Sequence, residues 1–324
     1  MLREERISMP RPTLSVVMPV YNTLKYLDAA VESILTQSFD DFEFLIFDDG
    51  STDGSKERLQ QYANQDSRIK LFSREHGGLT LLLNEGLKKA KGEFIARMDS
   101  DDISEPSRFK AQICFLQQHP DYVAVGSEIL RIDPGGLPIG IQGKLENHED
   151  IVHAFLGGKG GAIIHPSAMF KRLAIKEIGG YRPDCEPAED LDLFIRLSKV
   201  GRLANLPQVL MKYRLHFKRT TDLRRQEQLQ KVKLIVQQAR VERGLGKLPD
   251  NWAQSQKTLT PRETRAHWAR TATNRGHFQT GLKHSLILLL LEPLSKNHLR
   301  MVKHAVKGLF KSNVLDSTEV SASR

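Results

Sequence analysis

Phe94-Ile95-Ala96-Arg97-Met98-Asp99-Ser100-Asp101-Asp102 joins a short apolar run to three carboxylates within four residues. The apolar part, Phe94 to Met98, predicts a buried strand, and the acidic part predicts the loop that leaves it. Carboxylates crowded this closely repel one another unless a cation sits among them. Hard divalent ions such as Mg2+ or Mn2+ take a few oxygen ligands from protein and complete their shell with phosphate oxygens and water. An acidic turn capping a helix after Pro106 accounts for the same residues without a metal. Position favours the metal, because open α/β sheets bind ligands outside the carboxyl ends of their strands, where this loop lies.

The flanking sequence alternates apolar, β-branched runs with segments of helical period, the signature of βαβ units and a mostly parallel sheet. Leu14 to Met18, Phe42 to Phe47, Ile69 to Phe72 and Val123 to Gly126 read as further strands. Leu27, Val31, Ile34 and Leu35 recur at helical spacing, and helices are also predicted over Lys56 to Tyr62, Gly78 to Ala90 and Pro106 to Gln118. Two more strand exits open on the same sheet edge as the acidic loop: Pro19-Val20-Tyr21-Asn22 after the first strand, and Asp48-Asp49-Gly50-Ser51-Thr52-Asp53 after the second. Each has an ordinary explanation as a turn or helix cap. Together the three loops point to a nucleotide pocket, in which Asp49 can accept from a base imide N–H and Tyr21 can lie against the base ring.

Ala188-Glu189-Asp190-Leu191-Asp192 precedes the apolar-periodic Leu193, Phe194 and Leu197. Carboxylates are favoured at a helix start, so a capping cluster explains it. A general base explains it equally well, since a hydroxyl attacking an anomeric carbon must lose its proton to a positioned acceptor.

Five stretches together resemble the family 2 glycosyltransferases of the GT-A fold: Ser15 to Asn22, Asp48 to Asp53, Leu83-Asn-Glu-Gly86, Ala90 to Asp102 and Ala188 to Asp190, in that order. The likeness spans about residues 13 to 216 and is to enzymes of bacterial polysaccharide type. It implies an α/β, Rossmann-like catalytic domain over 13–216, between an N-terminal extension, 1–12, and a basic helical region, 217–324. It also implies an inverting, single-displacement transfer from a nucleotide-sugar such as a UDP-sugar, aided by Mn2+ or Mg2+. By motif, Pro19, Tyr21, Asn22 and Asp49 fall to the nucleoside, and Asp99, Asp101 and Asp102 to the metal and ribose. Asp190, with Glu189 beside it, falls to the catalytic base. His165-Pro-Ser167 resembles an acceptor-side strand end, and Tyr213-Arg-Leu-His216 resembles the motif that closes the donor site. The chain departs from the family's Asn-x-Gly ahead of the third helix, where it has Arg74-Glu75-His76-Gly77-Gly78.

The charge is unevenly spread. Met1 to Met211 carries 25 Lys and Arg against 31 Asp and Glu, whereas Lys212 to Arg324 carries 23 against 8. Lys212 onward reads as helical, with Leu299, Val302, Val306 and Leu309 on one face among Arg300, Lys303 and Lys307. Such a tail suits an anionic membrane surface and a glycan or lipid-linked acceptor held there, and a helical cap packed on the catalytic domain accounts for it at least as well. Nucleic acid is the weaker partner, because the tail lacks aromatic residues interleaved with its cations and nucleic-acid binding leaves the acidic loops unexplained. A sugar-phosphate nucleotidyltransferase would carry a glycine-rich phosphate loop after the first strand, and Pro19 to Asn22 has no glycine. A glycosidase would use paired carboxylates without a nucleotide pocket. Met1 to Pro12 has no apolar core, and the longest apolar run, Leu286 to Leu291, is far short of the roughly 20 residues that span a bilayer. Cys114 and Cys185 stand outside any metal or redox spacing, which suits a reducing compartment. The expected location is cytoplasmic, peripheral on the inner face of the cell membrane. The loops between Ile132 and Glu189, with Asp133-Pro-Gly-Gly136 and Gly157 to Gly161 as turns, are expected to set the donor sugar and acceptor.

Overall fold

The computed structural model describes residues 11–143, 145–217, 224–248, 252 and 259–321, with side chains to 310. The backbone forms β1 (Leu14–Val20), α1 (Leu24–Leu35), β2 (Phe42–Asp48), α2 (Ser55–Gln65), β3 (Ile69–Ser73), α3 (Leu79–Lys89) and β4 (Phe94–Arg97). It continues through β5 (Ile103–Ser104), α4 (Arg108–Gln118), β6 (Tyr122–Ile132), β7 (Pro138–Gln142) and α5 (His148–Leu156). β8 (Met169–Lys171), α6 (Arg172–Glu177), α7 (Glu189–Leu197) and β9 (Arg202–Arg214) follow. Four helices end the described chain: α8 (Arg225–Glu242), α9 (Pro261–Asn274), α10 (Phe278–Leu291) and α11 (Lys296–Ser321).

The strands form one mixed sheet in the order β3-β2-β1-β4-β8-β6-β9-β5, with β7 paired to β6. β3, β2, β1 and β4 are parallel, whereas β8 runs antiparallel to β4 and to β6. Every residue of β1, β2 and β4 is buried, as expected of parallel strands covered on both faces. Register carries the strand exits to a common edge, because Val20 lies beside Asp48 and Asp48 beside Ser73. Gly86 lets α3 settle on β1, since a Cβ there would come within 2.5 Å of the Val17 side chain.

The chain divides into two compact units. The first comprises Met1–Glu128, Gly143–Met211 and Gln230–Lys247, and the second Ile129–Gln142, Lys212–Leu229 and Leu248–Arg324. Within the second unit, the Asp133 turn joins β6 to β7, and the buried Asp133 carboxylate accepts from backbone N–H groups of Gly135 and Leu137. It also accepts from Lys283 Nζ at 2.6 Å and meets His284 Nε2 at 3.1 Å, tying the hairpin to α10. Trp268 on α9 stacks on Phe217 and joins a small core with Ile139 and Leu215.

Sequence periodicity and structure differ beyond residue 122. The predicted strand over Val123 to Gly126 is the interior of the longer β6, and β7, β8 and β9 carry no strong alternation. The helical reading from Lys212 is corrected at its start, where β9 continues to Arg214. Its residues Gln208 to Arg214 mix exposed and buried positions without a clean period of two, so tertiary pairing rather than pattern makes them a strand.

Candidate active site

Side-chain hydrogen bonds stitch the loops at the sheet edge to one another. Asn22, at φ 51°, donates its backbone N–H to Ser51 Oγ and accepts the Thr52 N–H on Oδ1 at 2.8 Å. The left-handed backbone that Asn tolerates better than most residues thus turns the chain between β1 and α1. Leu24 N–H donates to Asp53 Oδ2, and Thr23 Oγ1 donates to Ser100 Oγ at 2.9 Å, linking the β1 exit to the acidic loop after β4. Pro19 lies within β1, paired with Phe47, one residue short of the loop.

Asp49 is almost wholly buried at the β2 exit. Its carboxylate accepts the Gly77 and Gly78 N–H groups at 2.9 and 3.2 Å and lies 2.8 Å from His76 Nδ1. The His76 ring stacks on Tyr21, with centroids 4.3 Å apart and planes 21° off parallel.

In the acidic loop, ligand oxygens of Asp99, Asp101 and Asp102 all lie within 4.8 Å of one another. An octahedral ion with ligands at about 2.1 Å needs oxygens about 3 to 4 Å apart, so small side-chain adjustments bring these groups onto a Mg2+ or Mn2+. Two buried guanidinium groups stand behind the loop. Arg97 bonds to Asp99 Oδ1 at 2.7 Å and to the Met98 carbonyl. Arg108 donates to the carbonyls of Arg97 and Ala168, and the charge of Asp102 opposes the fall that burial imposes on its pKa, to about 9. Three carboxylates this close together offer the oxygen ligands that a hard cation takes.

The fourth element is the start of α7. Glu189 and Asp190 lie in its first turn, and the Leu191 N–H donates to Asp190 Oδ1 at 2.7 Å. Neither serves as the helix cap: the N-cap residue is Ala188, with no side-chain cap bond. Burial pushes the Glu189 carboxyl up to about 8, helped by the neighbouring Asp190 charge, and pushes Asp190 up to about 6 against the pull of the Leu191 N–H and Arg97. Glu189 Oε2 is buried without a hydrogen-bond partner. Asp192, one turn along, is committed to Arg196 at 2.6 Å, so it holds structure while its neighbours stay poised.

Sequence reasoning missed the roles of three groups. Arg97 is the hub, within electrostatic reach of Asp99, Asp190, Glu189 and Tyr181; an arginine inside an otherwise apolar strand was the signal. His165 bonds Tyr181 Oη through Nε2 at 2.8 Å, and burial together with Arg97 holds the imidazole well below its usual pKa, so it is a neutral, structural ring. Glu186 caps the start of α3 by accepting from the Thr80 N–H and Oγ1. His216 follows β9 in the second unit.

The model of glycosyl transferase family 2 matches residues 15–179, which include every strand exit described above. This chain belongs to glycosyltransferase family 2. The glycosyltransferase is 36% identical over 211 residues to the O-antigen biosynthesis glycosyltransferase WbnJ of Escherichia coli, covering 64% of this chain and 81% of that one. Its fold is the GT-A fold. Staphylococcus aureus TarS 1–349 in complex with UDP-GlcNAc superposes with a TM-score of 0.55 at 16% identity, over 91% of this chain and 89% of that one. The mannosyltransferase PcManGT from Pyrobaculum calidifontis, in complex with GDP-Man and Mn2+, gives 0.55 at 19% identity, over 93% and 87%. Family membership sets aside the nucleotidyltransferase and glycosidase readings of this glycosyltransferase.

Proposed function

We propose that the chain transfers a sugar, with inversion, from a nucleotide-diphosphate donor, first among them a UDP-sugar, to a hydroxyl of a glycan or lipid-linked acceptor in cell-surface polysaccharide synthesis. The observation that carries this reading is the linking of an acidic cluster to a poised carboxylate pair, Glu189 buried and Asp190 half-buried, through one arginine, Arg97. Solved relatives of the same fold hold UDP-GlcNAc, or GDP-Man with Mn2+, and WbnJ is named for O-antigen biosynthesis.

In this reading residues 13–216 form the catalytic domain. Tyr21 and Asp49, with Pro19 and Asn22 shaping the turn beneath them, hold the base and ribose. Asp99, Asp101 and Asp102 hold a Mn2+ or Mg2+, which when bound neutralises charge on the departing diphosphate. Asp190 takes the acceptor proton as its oxygen attacks the anomeric carbon from the face opposite the leaving nucleotide. Glu189 shares the buried charge, so that one proton serves the pair near neutrality. His216 is assigned to the donor by its motif, Tyr213-Arg-Leu-His216. Thermal shift against UDP-, GDP- and dTDP-sugars with Mn2+ tests the donor assignment: the UDP-sugars should raise Tm by several degrees more than the others at equal concentration. No shift with any nucleotide-sugar would end the reading.

The location proposed is peripheral, on an anionic inner membrane face. Among the described residues no helix is long and apolar enough to cross a membrane. The corner between α10 and α11 exposes Leu290 at 81%, Leu291 at 63% and Leu294 at 96%, beside exposed Lys296, Arg300 and Lys303. Apolar side chains at a basic tip suit shallow insertion among acidic headgroups. The protein should sediment with vesicles containing phosphatidylglycerol but not with phosphatidylcholine alone. Leu290→Glu with Leu294→Glu should release it, and retention by that double variant would refute the surface assigned here.

A further inference from the structure

The residues assigned to the donor base are already covered by a ring of the chain itself. His76 places its Nδ1 2.8 Å from Asp49 Oδ2 and lays a flat face on Tyr21, with centroids 4.3 Å apart. A base with a ring N–H would be recognised at the same two places, by the carboxylate and by the phenol ring. The loop is pressed on this seat: Gly50, at φ +75°, brings the backbone so near that a Cβ would lie 3.1 Å from His76 N. Arg74 is ion-paired to Glu85 at the loop's start, while the Gly77 and Gly78 N–H groups clasp Asp49 on the other side of the histidine. His76 itself remains largely exposed, with 58% of its side chain open, so the ring has solvent to swing into.

We propose that His76 is an internal stand-in for the nucleobase, closing the base subsite of the donor-free enzyme and leaving it when the donor enters. The inference rests on the donor reading above and adds a competitor to it. In the exchange a base ring replaces the imidazole on Tyr21, and its imide N–H comes to the Asp49 carboxylate that Nδ1 now faces, beside the Gly77 and Gly78 N–H groups. Uracil, thymine and guanine offer a ring N–H for this exchange. Adenine and cytosine present a ring acceptor at the corresponding place, and a carboxylate cannot donate to it. His76 thus sets a threshold that favours the first group.

The test is calorimetric titration of UDP, and separately of inorganic pyrophosphate, each with Mn2+, into wild type, His76→Ala, Tyr21→Ala and Asp49→Asn. If the ring holds the seat about four-fifths of the time, its removal tightens UDP binding about fivefold. Pyrophosphate binding, which does not involve the base, stays unchanged. In the histidine NMR spectrum, with His76 assigned by its absence from His76→Ala, the His76 ring signals should lose their Tyr21 ring-current shift as UDP saturates. Weaker or unchanged UDP binding by His76→Ala, or a gain shared equally by pyrophosphate, overturns the proposal. Loss of UDP binding in Tyr21→Ala and Asp49→Asn shows that the base seat is where we place it; retention in both overturns the donor reading and the competitor with it.

Discussion

Asp190→Asn should lower glycosyl transfer by about 10²- to 10⁴-fold while donor affinity stays within about twofold of wild type. The amide keeps the shape of the carboxyl group but cannot take a proton from the acceptor. The donor contacts proposed here lie on the exits of β1, β2 and β4 and at His216, not on α7, so titration of UDP with Mn2+ should be nearly unaffected. The same assignment fixes the sign of the acid limb. Burial raises the Asp190 carboxyl to about 6, so the base is ionised above that pH and protonated below it. Wild-type turnover under saturating donor should therefore rise through about pH 6 and flatten toward neutrality, instead of being already flat at pH 5 as an unperturbed aspartate would make it. Radiolabelled-sugar transfer across pH 4.5–8 measures both. Turnover by Asp190→Asn at the wild-type rate would remove the base from this residue.

Asp101→Ala should lose about 10²- to 10³-fold in activity and, more tellingly, its response to Mn2+. The reason lies in the ligand set. Oxygens of Asp99, Asp101 and Asp102 lie within 4.8 Å of one another, with the guanidinium groups of Arg97 and Arg108 near Asp99 and Asp102. Removing the Asp101 carboxylate takes one ligand oxygen and one negative charge from this group, which should weaken the seat for both metal and diphosphate. Activity against Mn2+ concentration distinguishes this from a folding defect, because a merely destabilised enzyme keeps its metal response in the surviving fraction. A variant as Mn2+-dependent as wild type would place the ion elsewhere.

The donor half of the molecule was legible in the sequence for a definite reason. β1, β2 and β4 are buried on both faces and so appear as largely apolar runs, interrupted only by residues such as Ser15, Glu43 and Arg97, and each ends on a cluster of turn or acidic residues that marks its own loop. The acceptor half gave no such signal. β8 is only three residues long, and β9 has a partly exposed surface, so neither shows a period that separates strand from loop. Individual roles were harder still. The acidic motif announced Asp99, Asp101 and Asp102, but not that Arg97 and Arg108 stand behind them, because the strand that buries Arg97 and the helix that buries Arg108 meet only in the fold. Glu189 and Asp190 looked like helix-start carboxylates. What separates them from Asp192, itself buried, is the orphaned Glu189 Oε2 and the salt bridge that commits Asp192 to Arg196, both of them tertiary facts. His76 stood out only as a departure from pattern, and its contact with Tyr21 and Asp49 gives that departure a physical meaning.

Electron paramagnetic resonance of Mn2+ titrated into the protein, with and without UDP, addresses the acidic loop most directly. Wild type should bind one Mn2+ weakly alone and at least tenfold more tightly with UDP, and Asp101→Ala should abolish that gain. A Mn2+ affinity indifferent to UDP, or a gain that survives Asp101→Ala intact, would contradict the claim that this loop seats the cation beneath the donor diphosphate.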